Sequence, residues 1–386
     1  MASVSSITLQ IGGASSNDWF IVIGGAKYHF SNLSLHQGLL MPASLSFTLT
    51  RDPEEDVTDP VIKTCGDIIG SSVSLQVNTI GTKDSEPVAF EGFVASASGS
   101  RNFTEYYINV ECRSWDALLD DNPTCRSYED KTLENIVEDV ISGYSNINAE
   151  VNPRFKDVIP YCVQYNETNL EFLQRLARRY GEWLFSTGTT LVFGTLPDGK
   201  AVKLNYPSDD IPNYSMSLRV HHVDFNHVAS SYSVYNANKK EGLPEMEWEY
   251  NEMSQNAFSA SQKIFTKPTL QNLHSGGYAK PKREDSRETV LNISTKTQAR
   301  GEKADMQTFV GTTYNSMVKM GNILNIEDNY VRGIQLSDVT QTAILVIDIT
   351  HHFDLDHAYS NYFSGIAAMC DYPPYANSDV YPAAPS

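Results

Sequence analysis

The chain has 386 residues, 41% of them apolar and 20% charged, which suits two or three globular domains and excludes a disordered chain. Its 29 basic and 47 acidic residues give a net charge of −18, which repels phosphate and excludes nucleic acid as a default partner. Residues 1–13 lack a basic region ahead of a long apolar run, and no segment approaches the ~20 apolar residues of a membrane helix, so neither a signal peptide nor a spanning segment is expected.

Residues 1–112 read as strands. Leu45, Phe47 and Leu49 alternate with Ser46, Thr48 and Thr50, and the same period of two recurs at Val73, Leu75, Val77 and at Tyr106, Ile108, Val110, Cys112. Such alternation buries one face and wets the other, as in a sandwich or barrel. The acidic stretch from Arg51 to Pro60 reads as the largest loop between them.

Residues 113–214 have another texture and form a small α/β unit, one that could also return strands to the first β domain. Leu133, Ile136, Val137, Val140 and Ile141 fall at helical spacing, with Gly143 as the expected C-cap. A second helix begins at Thr168, where Thr168 and Glu171 spell a capping box, and ends at Gly181. Leu170, Leu173, Leu176, Ala177 and Tyr180 form its apolar face; Glu171, Arg175, Arg178 and Arg179 are expected on the wet one. Two short strands follow, Trp183–Phe185 and Thr190–Phe193, joined at Thr187 and Gly188.

Strand patterns return over 215–371. Met246, Trp248 and Tyr250 alternate with glutamates, and Ala343–Ile349 is a run suited to a strand buried on both faces. The stretch Lys263–Arg300 reads as a long loop with a helix near Lys296–Ala304, and residues 372–386 as a Pro/Tyr/Ala-rich linker.

No motif for catalysis stands out. His221, His222, Asp224 and His227 spell HHxDxxH, and His351, His352, Asp354 and His357 repeat it with Asp356 added. Imidazole and carboxylate can hold zinc, but adjacent histidines in a strand point to opposite faces, so solvent-facing imidazoles and no metal are expected. The carboxylate neighbours Glu54–Glu55, Asp120–Asp121 and Asp209–Asp210 cannot face each other across a cleft, as glycoside hydrolysis requires. Lys280, Lys282 and Arg283 are followed at once by Glu284 and Asp285, which reads as a solvated loop. Cys65, Cys112, Cys125, Cys162 and Cys370 show no CxxC spacing and read as reduced thiols. No catalytic, cofactor or metal residue is therefore expected, and the protein is not read as an enzyme.

The segment Tyr161–Leu176, YCVQYNETNLEFLQRL, resembles the signature of the VgrG and tailed-phage baseplate hub (late control protein) family, in which a strand ending VQY-N/R-E precedes a helix bearing F-L-x-R-L. Gly181, Trp183 and Phe185 supply the glycine and aromatic strand that follow. Phe90–Val94, the strand from Tyr107 to Trp115 with Ala117–Leu119, the helix Leu133–Ile141, Met320–Ile323 and Tyr359–Phe363 fall in the family's order, so the resemblance runs over about residues 28–372. It departs at Thr168–Asn169, where the family has Ser-Asp, and at Arg178–Arg179, where it has an acidic helix end.

The resemblance implies two similar β-barrel domains (1–112 and 215–371) flanking the α/β unit, and a pseudo-sixfold homotrimer. It implies a structural hub joining a hexameric, Hcp-like tube to a threefold spike, with baseplate proteins, a spike tip and effectors as partners. Residues 372–386 would lead toward an OB-fold and β-helical spike lying beyond this sequence. The hub would assemble in the bacterial cytoplasm and be ejected without a signal peptide. A phage or phage-tail-like baseplate hub is the close alternative; a secreted carbohydrate-binding or hydrolytic β-protein is the distant one.

Overall fold

The computed structural model describes residues 6–11, 20–23, 26–50, 61–77, 88–101, 106–197, 201–206, 211–220, 228–233, 236–242, 306–331, 334–353, 359–368, 370 and 372–377, with single positions at 261, 264, 297, 300, 301 and 304. It is mainly β.

The first β unit consists of β1 (Ser6–Ile11), β2 (Phe20–Ile23), β3 (Ala26–Gly38), β4 (Ser44–Thr50), β5 (Ser72–Val77), β6 (Val88–Arg101) and β7 (Tyr106–Ser114). The order β3-β2-β1-β5-β6-β7-β4 closes on itself through β3–β4 pairing, so the alternation read from sequence belongs to a barrel. Leu45, Phe47, Leu49, Leu75, Phe90, Ile108 and Val110 fill its core. The helix α1 (Val61–Ile68) follows the stretch expected as a loop and packs on β6. Gly99 admits it, since a Cβ there would lie 2.0 Å from the Val61 side chain.

The α/β unit follows: β8 (Thr124–Thr132), α2 (Leu133–Ile141), β9 (Ala149–Asn152), β10 (Val158–Glu167), α3 (Asn169–Tyr180), β11 (Trp183–Ser186) and β12 (Leu191–Gly194). The apolar stripe of α2 is buried as its spacing requires, but its C-cap is Ser142 in a right-handed conformation, not Gly143. β11 and β12 are buried throughout. Leu184 and Phe193 face the helices, while Trp183, Phe185 and Val192 enter the core of the second β unit.

The remaining strands are β13 (Val202–Tyr206), β14 (Asn213–Leu218), β15 (Val228–Ser233), β16 (Asn236–Gly242), β17 (Gln307–Thr313), β18 (Ile323–Val331), β19 (Ile334–Phe353) and β20 (Tyr359–Ala367). β13 pairs with β18 and β14 with β17, so this sheet draws on chain ahead of residue 215. The order is β13-β18-β19-β20-β17-β14, and β15 pairs with β16 apart from it. Within the run expected to be buried on both faces, Ile344, Leu345, Val346 and Ile349 are buried, while Ala343 is exposed. Met246, Trp248, Tyr250 and most of the stretch Lys263–Arg300 lie outside the described residues; Ser261, Ile264, Thr297, Arg300, Gly301 and Ala304 have helical backbone.

Two long strands join the β units. β4 lies along one edge of β3. The other edge pairs first with β2 and then, from Leu33 to Gly38, with Asp348–Phe353 of β19. β19 mirrors this, pairing β20 on one edge and β18 then β3 on the other. Asn32, at φ 52, sits in the irregularity of β3 where the partner changes; asparagine tolerates this left-handed backbone. At the end of the junction His36 Nε2 lies 2.9 Å from Asp348 Oδ2. Gly38 leaves room for that carboxylate, since a Cβ would come within 2.8 Å of it.

The Asp348 hydrogen bond raises the pKa of His36 above 6.5, against the opposing effect of burial. The pair's contribution is therefore full below pH 6.5 and is lost as pH rises through the folded-state value. Both side chains are about a third exposed, which limits the effect to roughly 0.5 kcal/mol. Asp348→Asn is expected to lower the His36 pKa in an NMR titration and to lower the melting temperature more at pH 6 than at pH 8.5. An unchanged His36 titration would contradict the pairing.

Candidate functional site

The family-like segment turns a strand into a helix, and the turn is built from buried polar groups. β10 pairs antiparallel with β8 until an irregularity between Tyr165 and Glu167, where Asn166 adopts φ 49. The bulge turns Glu167 inward. Its carboxylate accepts from Arg175 Nε at 2.7 Å and Nη2 at 2.9 Å, a two-pronged pair. Arg175 Nη2 also donates to the Val163 carbonyl at 2.6 Å, and its guanidinium lies 5.1 Å from the centre of the Phe172 ring.

Arg175 is therefore buried, not on the wet face of α3. Helical spacing carried the signal: Phe172, Arg175 and Leu176 stand at i, i+3 and i+4, so they share a face. A buried arginine requires a carboxylate, and Glu167 stands just ahead of the helix.

The expected capping box is present. Thr168 Oγ1 accepts from the Glu171 amide at 3.1 Å, and Glu171 Oε2 accepts from the Thr168 amide at 2.9 Å. Thr168 Oγ1 also donates to Asp120 at 3.1 Å, which gives that carboxylate a cap-side partner. Gln164 Nε2 donates to the Glu167 carbonyl and to Asn169 Oδ1, and Asn169 donates to Tyr144. Gly181 ends α3 at φ 66, as its position predicted.

Beyond Gly181 lies a feature that residue patterns did not show. Glu182 is fully buried, and its carboxylate accepts from the backbone amides of Arg154 and Phe155 at 2.9 and 2.8 Å. Burial pushes its pKa up, against the effect of those amides and of Arg154. Tyr375 Oη donates to the Glu182 carbonyl and accepts from the Leu184 amide, both at 2.7 Å. Tyr372 lies under the Arg154 and Arg300 guanidiniums at 4.1 and 5.0 Å. Residues 372–377 are thus docked against α3 and β11, whereas composition alone read them as an extended linker.

The second histidine motif resolves into one buried and one exposed ring. His351 is fully buried and His352 is exposed, on opposite faces of β19 as strand geometry requires. The expectation of two solvent-facing imidazoles fails at His351 because it faces the sheet interior. Asn361 Nδ2 donates to Tyr359 Oη at 2.9 Å, and that hydroxyl lies 2.7 Å from His351 Nδ1. His351 Nε2, also buried, has no hydrogen-bond partner among the described residues. Burial pushes its pKa down to about 3. Asp354, Asp356 and His357, and the copy at His221, His222, Asp224 and His227, lie outside the described residues, as do Glu54–Glu55, Asp209–Asp210 and the Lys280–Arg283 stretch.

All five cysteines are free thiols. Among the described residues no three His, Cys, Asp or Glu side chains gather as a metal site, and no helix is long and apolar enough to cross a membrane.

The charged side chains around α3 pair with one another and with backbone groups. Residues 46–353 match the family model of the phage tail baseplate hub (GPD), most of the chain. The chain belongs to that family, whose members are structural hubs of phage tails and type VI secretion spikes and not enzymes.

It is 30% identical over 97 residues to the type VI secretion system spike protein VgrG1b of Pseudomonas aeruginosa, a match covering 24% of this chain and 13% of that protein. VgrG1c of the same organism matches to the same extent. Among solved structures, the tail protein from Neisseria meningitidis MC58 superposes with a TM-score of 0.60 at 11% identity, covering 92% of this chain and 98% of that one. The 43 kDa tail protein of prophage MuSo2 from Shewanella oneidensis gives 0.58 at 16% identity, covering 91% and 98%. These structural likenesses are ones of fold.

Removing one partner of the buried ion pair strands the other. Arg175→Ala is expected to cost ~3–5 kcal/mol in denaturant unfolding, and the double change Glu167→Gln with Arg175→Met to recover much of it. Equal losses in the single and double variants would contradict the pairing. For His351, the contribution of the neutral ring is present above pH 6.5 and is lost as pH falls toward 3. Between pH 6.5 and 5 this removes ~2 kcal/mol of stability, which His351→Phe should not show. Identical pH profiles for the two proteins would refute the buried neutral ring.

Proposed function

We propose that this chain is the hub at the base of the spike in a contractile injection apparatus. The observation that carries the reading is the strand exchange at β3 and β19, which fuses two β units into one sheet system. In this reading the division is a β unit to residue 112, the α/β unit beyond it, and a second β unit that begins near Val202. Three chains present six β units in a ring, matching a hexameric tube on one side and a threefold spike on the other. Baseplate proteins, a spike tip and effectors are its further partners. It needs no cofactor or metal, assembles in the bacterial cytoplasm and leaves the cell with the machine.

Two versions of the machine are open to it. The sequence match to the Pseudomonas spike proteins favours type VI secretion. The near-complete coverage of two tail proteins, one of them from a prophage, favours a phage or phage-tail-like particle. The shared role is adaptation of symmetry, carried by interfaces and not by bond chemistry.

Mixed with the hexameric tube protein from its own genome, the full chain is expected to cap tube ends as a three-chain ring visible by electron microscopy. Tubes with bare ends, and no binding of the chain to the tube protein, would count against the hub reading.

A further inference from the structure

Among the described residues the sheet of the second β unit ends on β14. The strand reads NYSMSL, with no charge and no proline. Edge strands usually carry one or the other, because a row of free N–H and C=O groups templates pairing with another strand. Among the described residues β14 pairs with β17 alone.

The side chains add a second observation. Met216 lies opposite Phe309, and Leu218 opposite Gln307. Directly opposed residues share a face of the sheet. Phe309 and Gln307 are 1% and 4% exposed, whereas Met216 and Leu218 are 48% and 46% exposed. The face that β17 buries therefore runs on uncovered along the last strand. Val220, two residues further, is exposed as well.

At the start of the strand the edge is closed. The Tyr214 ring meets Tyr206 of β13 edge-on, 5.2 Å between centres, and its hydroxyl donates to the Asp328 carboxylate of β18. The opening begins where that closure stops.

We propose that the Met216–Val220 edge of β14 is a subunit contact, covered in the assembled protein by a strand of a second copy of this chain. The choice of a second copy rests on the hub reading, and charge supports it. Residues 213–220 hold no acidic group and one base, the exposed Arg219, in a chain of net charge −18. An acidic copy settles here without like-charge repulsion. In a closed ring the contact is heterologous: this edge meets a different patch on the next copy, so one such edge per chain suffices. Main-chain hydrogen bonds would set the register, and Met216 and Leu218 would supply the buried apolar contact.

The test compares the full chain with Met216→Glu/Leu218→Glu and, separately, Arg219→Glu, by light scattering over a concentration series and by thermal melting. The expected result is that the wild type rises to a multiple of 43.0 kDa, while the double variant stays at the single-chain mass and keeps the wild-type melting temperature. Arg219→Glu should shift the oligomer to higher concentration with the same melting temperature. A double variant that assembles as the wild type does would overturn the proposal, as would a wild type that stays a single chain throughout. A lowered melting temperature with unchanged mass would also overturn it, assigning the patch to cover by this chain's own residues. Tube capping reads the hub role separately, so it can succeed where this contact fails.

Discussion

The pairing of Leu33–Gly38 with Asp348–Phe353 is the constraint on which the architecture depends. It brings together segments more than three hundred residues apart and joins the first barrel and the sheet of the second β unit in one continuous ladder. Each contributing strand is long enough to change partners along one edge. The change in β3 falls where a left-handed asparagine interrupts the ladder. Phe353 extends this union into the core of the first barrel. Such long-range pairing closes late and slowly, and it ties the stability of the two β units together.

The α/β unit locks this frame from one side. Its ribbon of β11 and β12 has one face among its own helices and the other in the core of the second β unit. Leu40, just past β3, donates its amide to Leu184 at 2.8 Å and accepts from Gln174 through its carbonyl. The docked segment at Tyr372–Asn377 then returns to α3, where the Asn377 amide donates to the Arg178 carbonyl at 2.8 Å. Helix α3 thus touches chain from the beginning, middle and end of the sequence. Its buried polar groups fix its position, because each would be costly to leave without a partner.

What the sequence disclosed and what it withheld follow from how local each feature is. The capping box at Thr168 and Glu171, the stop at Gly181 and the alternation of Leu45, Phe47 and Leu49 depend on neighbours within a turn or a strand, and they read correctly. Arg175 and His351 did not. A single polar residue on a buried face is explained only by a partner, Glu167 in one case and Tyr359 with Asn361 in the other, and that pairing belongs to the folded chain. Tyr375 in a Pro-rich stretch gave no local sign of binding the backbone beside Glu182. Gly143 was read as a cap from its residue type, yet the helix ends one position earlier without a left-handed residue. The assignment of β13 and β14 to the later sheet is likewise a matter of distant pairing that periodicity cannot carry.

Through β3 and β19 the two β units share one ladder and are expected to open as one cooperative unit. Native-state hydrogen exchange at the amides of Leu33–Gly38 and Asp348–Phe353 tests it most directly. The account predicts that the ladder-bonded amides of both segments exchange as slowly as the barrel-core amides of β4 and β7, and that they open together as denaturant is added. Fast exchange of the junction while both cores remain protected would contradict it, because the units would then fold and move independently.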